Sequence, residues 1–176
     1  MVKTVTSSSG KQSIESARHA AEGHTPSLRI AGGIQLLVIV IHYFVFLWVS
    51  DVSQFVTSLA FLFILVSGGM LAYLPSSDNM SKPASRNVLK FCIFTALIIA
   101  ISESISLLQK IDVCKNDKGF IADVPCNESY LNLELSLMII TGVCSSWAMA
   151  VFLVVNKHWL SIEDETNSKT KSSLSV

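Results

Sequence analysis

The sequence predicts an all-α membrane protein: a bundle of four transmembrane helices with cytoplasmic N- and C-termini. Three observations carry that prediction. Four apolar stretches of bilayer-crossing length hold most of the hydrophobicity of the 176 residues. Charge is scarce, with Asp, Glu, Lys and Arg at 15% where soluble domains hold roughly 25%. The basic residues also fall unevenly among the connecting segments. A formal net charge of zero excludes a strongly basic nucleic-acid binder and an acidic disordered protein as descriptions of the whole chain.

The elements follow in order. Residues 1–29 form a polar N-terminal tail without the apolar stretch of a signal peptide, so the first span is expected to act as its own targeting signal. The four spans are residues 30–49, 55–74, 88–108 and 135–155, which sets the transmembrane domain at 30–155. Stretches of 20 or 21 residues at helical rise reach about 30 Å, the thickness of a bilayer's hydrocarbon core. No alternation of period two runs through them, which argues against a β-barrel. A helix also satisfies all of its own backbone groups inside lipid. Residues 156–176 are the C-terminal tail; like the N-terminal one it is rich in Ser, Thr and Lys, cannot bury a core, and is expected to be mobile.

Orientation comes from sorting the basic residues. Lys3, Lys11, Arg18 and Arg29 precede the first span, and Lys82, Arg86 and Lys90 lie between or at the ends of the second and third. Lys157, Lys169 and Lys171 follow the fourth. The opposite side holds Lys110, Lys115 and Lys118, so ten stand against three and both termini are assigned to the cytoplasm. The long loop 109–134 then faces the lumen or exterior. Cys114 and Cys126 in it are close enough in sequence to close a disulfide loop in an oxidising compartment. Asn127-Glu128-Ser129 is a glycosylation sequon on the same side, whereas the sequon Asn79-Met80-Ser81 falls on the cytoplasmic side. Cys92 and Cys144 lie within spans and are expected to be free, packing as small apolar side chains.

No catalytic motif is present, and His19, His24, His42 and His158 are too scattered for metal ligation. The chain therefore reads as a non-enzyme without cofactor or metal. Its unusual residues are polar ones at membrane depth, which are candidates for function by default. Gln35 lies in the inner half of the first span and His42 in its outer half, Glu103 in the outer half of the third, and Glu134 at the outer start of the fourth. Two readings stand side by side. In one, Glu103 and Glu134 form an outer vestibule that attracts cations. In the other, favoured because buried polar pairs commonly fix helix packing, Glu103 pairs with His42 or with Ser102, Ser104 and Ser106. The inner half offers little polarity beyond Gln35, Thr95 and Thr141, which argues against a pore through one protomer.

Small residues at close-approach spacing suggest helix contacts: Gly32 and Gly33 in the first span, Gly68 and Ala72 in the second, Gly142 and Ser146 in the fourth. They serve either packing within the chain or dimerisation. The C-terminal Leu174-Ser175-Val176 is a loose match to a PDZ ligand, and membrane lipid is a partner by composition.

The order of these features resembles the membrane-spanning 4-domains subfamily A family, relatives of the B-lymphocyte antigen. Ile30-Ala31-Gly32-Gly33-Ile34-Gln35-Leu36 is similar to the family's first-helix opening and Val66-Ser67-Gly68-Gly69-Met70 to the end of its second helix. Val154-Val155-Asn156-Lys157-His158-Trp159 is similar to its polar-Trp exit. The related transmembrane 176 subgroup is also compatible. The family's polar Asn in the third helix is replaced here by Thr95 and Glu103. The resemblance implies a multi-pass protein of the plasma membrane, or of an endosomal or Golgi membrane. It implies a homo- or hetero-oligomer that modulates receptor complexes as a signalling or assembly component, with an oligomeric cation (calcium) channel subunit or a chemosensory receptor as the alternatives.

Overall fold

Apolar segments this long satisfy their backbone groups most readily as helices, and the computed structural model is helical almost throughout. It describes residues 7–49, 55–116, 120–121, 124–125 and 127–174. The elements are α1 (Ser7–Val49), α2 (Phe55–Tyr73), the single turn α3 (Ser77–Met80), α4 (Pro83–Asn116), β1 (Phe120–Ile121), β2 (Val124–Pro125) and α5 (Glu128–Leu174). α1 packs on α2 and α5, and α4 packs on the same two helices, so the four long helices close on one another.

The core has two storeys. At the end of the bundle from which the two tails lead away, the inner end by the expected orientation, Leu28, Leu71, Leu89, Phe152, Val155 and Trp159 pack together. At the outer end Phe61, Ile64, Leu107, Leu131 and Met138 do so. Large apolar side chains also cover the outside: Phe91, Phe94 and Ile101 of α4, Leu37 and Phe44 of α1, and Val143 and Leu153 of α5 are exposed. An apolar exterior of this extent suits lipid rather than water. Among the described residues three helices, Glu22–Phe44, Pro83–Asn116 and Glu128–Asp164, are long and apolar enough to cross a membrane. The second of the four expected spans forms α2, whose described apolar part, Phe61–Tyr73, is shorter than that.

The helices run past the expected boundaries. α4 continues through Asn116, and α5 starts at Glu128 rather than near residue 135. Asn127 explains the early start: its Oδ1 accepts a hydrogen bond from the Tyr130 N–H at 3.1 Å, a helix N-cap, with Glu128 in the favourable first turn. Between α4 and α5 the strands pair antiparallel, Phe120 opposite Pro125 and Ile121 opposite Val124.

The tails need a correction, because helix extends through most of both. On α1 the exposed pair Arg18–Glu22 at 2.9 Å supports a turn. Pro26 lies inside the same helix and lacks the N–H that would reach the Glu22 carbonyl four residues back. The Thr25 hydroxyl donates to that carbonyl instead, at 2.9 Å. On α5 the buried stripe Phe152, Val155 and Trp159 continues to the half-buried Ile162, so the helix stays anchored beyond the span. Composition registered the polar surface of these segments and missed the apolar positions one turn apart.

Two arginines brace the α2–α4 connection at the inner end. Arg29 Nε donates to the Pro75 carbonyl at 2.9 Å. Arg86 is buried; it donates to the Met80 carbonyl at 3.0 Å and pairs with Glu163 of α5 at 2.6 Å.

Candidate functional site

Polar and small residues meet at three levels of the bundle. The lowest is the crossing of α1 and α2. A Cβ added at Gly32 would lie 2.6 Å from the Ala72 nitrogen and 2.8 Å from the Gly68 carbonyl oxygen. One added at Gly68 would lie 3.1 Å from the Gln35 Cβ. Gly32, Gly68 and Ala72 thus serve packing within the chain, letting two backbones touch. Gly33 differs: a Cβ there would meet nothing within 4 Å, and the residue faces outward. Among the described residues nothing packs against it, because one residue along a helix turns the position by about 100°.

One turn above the crossing, Gln35 is fully buried and its Nε2 donates to the Ser145 Oγ at 2.9 Å, joining α1 to α5. Its Oε1 has no hydrogen-bond partner among the described residues. Thr141, also fully buried, returns its hydroxyl to the Leu137 carbonyl of its own helix at 3.0 Å. Ser67 joins α2 to α4 by donating to the Cys92 carbonyl at 3.1 Å.

The outer level holds the ionisable residues. His42 Nδ1 stands 3.8 Å from Glu134 Oε1, and both side chains are under a tenth exposed. The Tyr130 hydroxyl donates to the same Glu134 oxygen. The His42 ring lies flat on Phe61 of α2, with centroids 3.3 Å apart and planes 10° from parallel. Glu103 and Lys110 of α4 lie near enough to act electrostatically on Glu134. The carboxylate facing His42 is therefore Glu134, while Glu103 is half-buried. Glu134 was expected at the interface; the early start of α5 sinks it nearly two turns into the helix. Farther out, Lys115 and Glu128 pair across α4 and α5 at 3.4 Å, both exposed.

Gly142 and Ser146 lie on the outer side of the α4–α5 seam. Gly142 faces Ala100, where an added Cβ would sit at an ordinary 3.6 Å, and the exposed Ser146 hydroxyl donates to the Gly142 carbonyl. With Leu97, Ile101 and Met138 they line a groove of about 430 Å³, open to the outside and almost wholly apolar.

Cys92 and Cys144 are free thiols, as expected. Cys114 is buried at the outer end of α4 and is not a free thiol. Its expected partner Cys126 lies outside the described residues, as do the first outer turn at 50–54 and the terminal Ser175 and Val176. Asn127 is exposed at the cap of α5.

Ser145 and Phe61 were not singled out in the sequence, nor was Arg86 as a buried group. Ser145 was readable, since it lies four residues after Thr141 and three before Ala148 on one buried stripe. Arg86 counted only as a basic residue, and nothing in its neighbours announces burial.

The arrangement defines a helical membrane bundle whose polar groups link helices to one another, with no grouping of His, Cys, Asp and Glu suited to a metal among the described residues. Comparison with known protein families, with curated proteins and with solved structures finds no match.

Proposed function

We propose that the chain is a non-enzymatic assembly or signalling component of membrane protein complexes, inserted with four spans and both termini in the cytoplasm. The observation that carries this reading is the use of the buried polar groups. Gln35 bonds Ser145, Ser67 bonds the Cys92 carbonyl, and His42, Glu134 and Tyr130 form one chain. Polar groups that hydrogen-bond across helices act as links that fix how a bundle packs. What is left to meet partners is the apolar outer face and the two cytoplasmic extensions. The ten-to-three division of basic residues supports the orientation.

The fourth span in this reading is α2, whose 19 residues reach about 28 Å as a helix, close to a hydrocarbon core. Gly32 and Gly68 seat it directly on α1. The outer loop carries a Cys114–Cys126 disulfide in this account, supported by a Cys114 sulfur that is not free. Asn127 is its glycosylation site, where a glycan on Nδ2 leaves Oδ1 in place to cap α5. The motif resemblance points to the membrane-spanning 4-domains subfamily A family, with the plasma membrane as the destination, endosome or Golgi as alternatives, and a PDZ contact at the C-terminus as an accessory.

Cross-linking and mass spectrometry of the full chain in mild detergent tests the reading. Oligomers or adducts with other membrane proteins are expected, and a protein that stays monomeric and alone contradicts it. Glu103 favours the second reading, a cation-conducting oligomer, because it is half-buried beside Glu134 with a carboxylate that no other helix holds in a hydrogen bond among the described residues. If the chain conducts, Glu103→Gln alters cation flux in liposomes; no flux from the parent protein removes that reading.

A further inference from the structure

We infer that two copies of the chain pair along α5, Trp147 of each seated in the α4–α5 groove of the other, with its indole N–H bonded to a serine hydroxyl there. The inference rests on the assembly reading and names the partner and the face. Trp147 stands at the middle of the apolar helix Glu128–Asp164 and is 46% exposed. Its Nε1–H donates to no group among the described residues. At mid-bilayer depth an exposed indole meets hydrocarbon, where an unpaired donor is costly. Tryptophan is more usual at the membrane interfaces, where the ring lies in an apolar layer and the N–H in water. In this place it needs an acceptor from outside its own chain.

The groove offers that acceptor. Its lining is apolar apart from Ser104 of α4 and Ser146 of α5. Ser104 donates its hydroxyl proton to the Ala100 carbonyl at 2.7 Å, and Ser146 donates to the Gly142 carbonyl at 2.9 Å. Each oxygen keeps lone pairs, so both serines present acceptors and no donor. An acyl chain fills such a groove but leaves the indole N–H unpaired; a second copy satisfies both. Helix geometry brings the two features together. At 100° per residue Trp147 lies about 140° around α5 from Gly142 and about 100° from Ser146, with the exposed Ile139 and Val143 between. The groove and Trp147 therefore flank one exposed face on opposite sides. A two-fold axis parallel to α5, passing beside Ile139 and Val143, lays each flank on the opposite flank of the other copy. Side chains lean toward the N-terminus of their helix, so the indole covers the turn before Trp147, level with Gly142. The small Gly142 and Ser146 leave room for the ring.

The test is dimerisation of the full chain reconstituted in liposomes over a range of protein-to-lipid ratios, read by energy transfer between labelled copies. The parent protein is expected to dimerise. Trp147→Phe keeps a ring and removes the donor, and losing one interhelical bond on each side should weaken pairing on the order of tenfold. Ser146→Leu fills the groove and should abolish pairing, whereas Leu62→Ala on the exposed face of α2 should leave it unchanged. A dimer that either Trp147→Phe or Ser146→Leu leaves intact overturns the inference and keeps the assembly reading, since the copies then meet by another face. A parent protein that stays monomeric also overturns it. Monomers here together with adducts in the detergent cross-linking remove the inference alone; monomers without adducts remove both. Should a variant fail to fold, disulfide trapping gives the same answer. Val143→Cys, on the exposed face beside the axis, with the free thiols Cys92 and Cys144 changed to Ala, should give a covalent dimer on mild oxidation. No covalent dimer there overturns the proposal.

Discussion

The α1–α2 and α4–α5 seams carry the same signature in sequence, two small residues four apart, and do different things. At the first, Gly68 and Ala72 meet Gly32 so closely that backbone touches backbone. At the second, Gly142 faces Ala100 at ordinary distance while Ser146 looks out of the bundle into an open apolar groove. The signature marks where a helix surface is thin. Whether another helix takes up the space depends on the phase of the neighbouring residues. At α2 the buried positions Ile64, Ser67, Gly68 and Leu71 put the glycine in the middle of the packed stripe. At α5 the stripe runs through Met138, Thr141, Ser145 and Ala148, leaving Gly142 and Ser146 at its margin.

Substitutions across the two seams should separate them by size of effect. Gly32→Ala is expected to do most harm, since its methyl would sit 2.6 Å from a backbone nitrogen that cannot step aside. A loss of about 3 kcal/mol, at the upper end for overpacking, should appear as a lowered unfolding temperature or failure to purify as a folded protein. Arg86→Met comes next, because it leaves the Met80 carbonyl and the Glu163 carboxylate without their donor at the buried inner end. Glu163 is partly exposed and turns to water, which limits the loss to about 2 kcal/mol. Gln35→Leu should change stability by less than about 1 kcal/mol in either direction: it gives up the bond to Ser145 but also removes a buried oxygen that has no partner among the described residues. Gly142→Ala should be smallest, within about 0.5 kcal/mol, and a loss as large as that of Gly32→Ala would erase the distinction between the seams.

The helical bundle was legible because apolar length is a direct physical requirement of a bilayer. Gln35, His42 and Glu134 were also legible as polar residues in costly places, and the structure brings each against another helix. Their pairing was not. The sequence leaves His42 or Ser102, Ser104 and Ser106 as partners of Glu103 because it places Glu134 at a helix start, and the Asn127 cap that moves the start outward is a local feature easily read as a sequon alone. The tails were misjudged for a related reason. Composition averages over a segment, whereas Trp159 and Ile162 extend α5 by standing at the right spacing within a polar run.

The account rests most heavily on α2 as a fourth span, since three other helices meet the length requirement by themselves among the described residues. An even number of crossings puts both termini on one side, and an odd number puts them on opposite sides. Epitope tags at each end, probed in intact and in selectively permeabilised cells, decide between them. The account predicts that both tags stay hidden until the plasma membrane is opened. One tag detected on intact cells with the other hidden would contradict it.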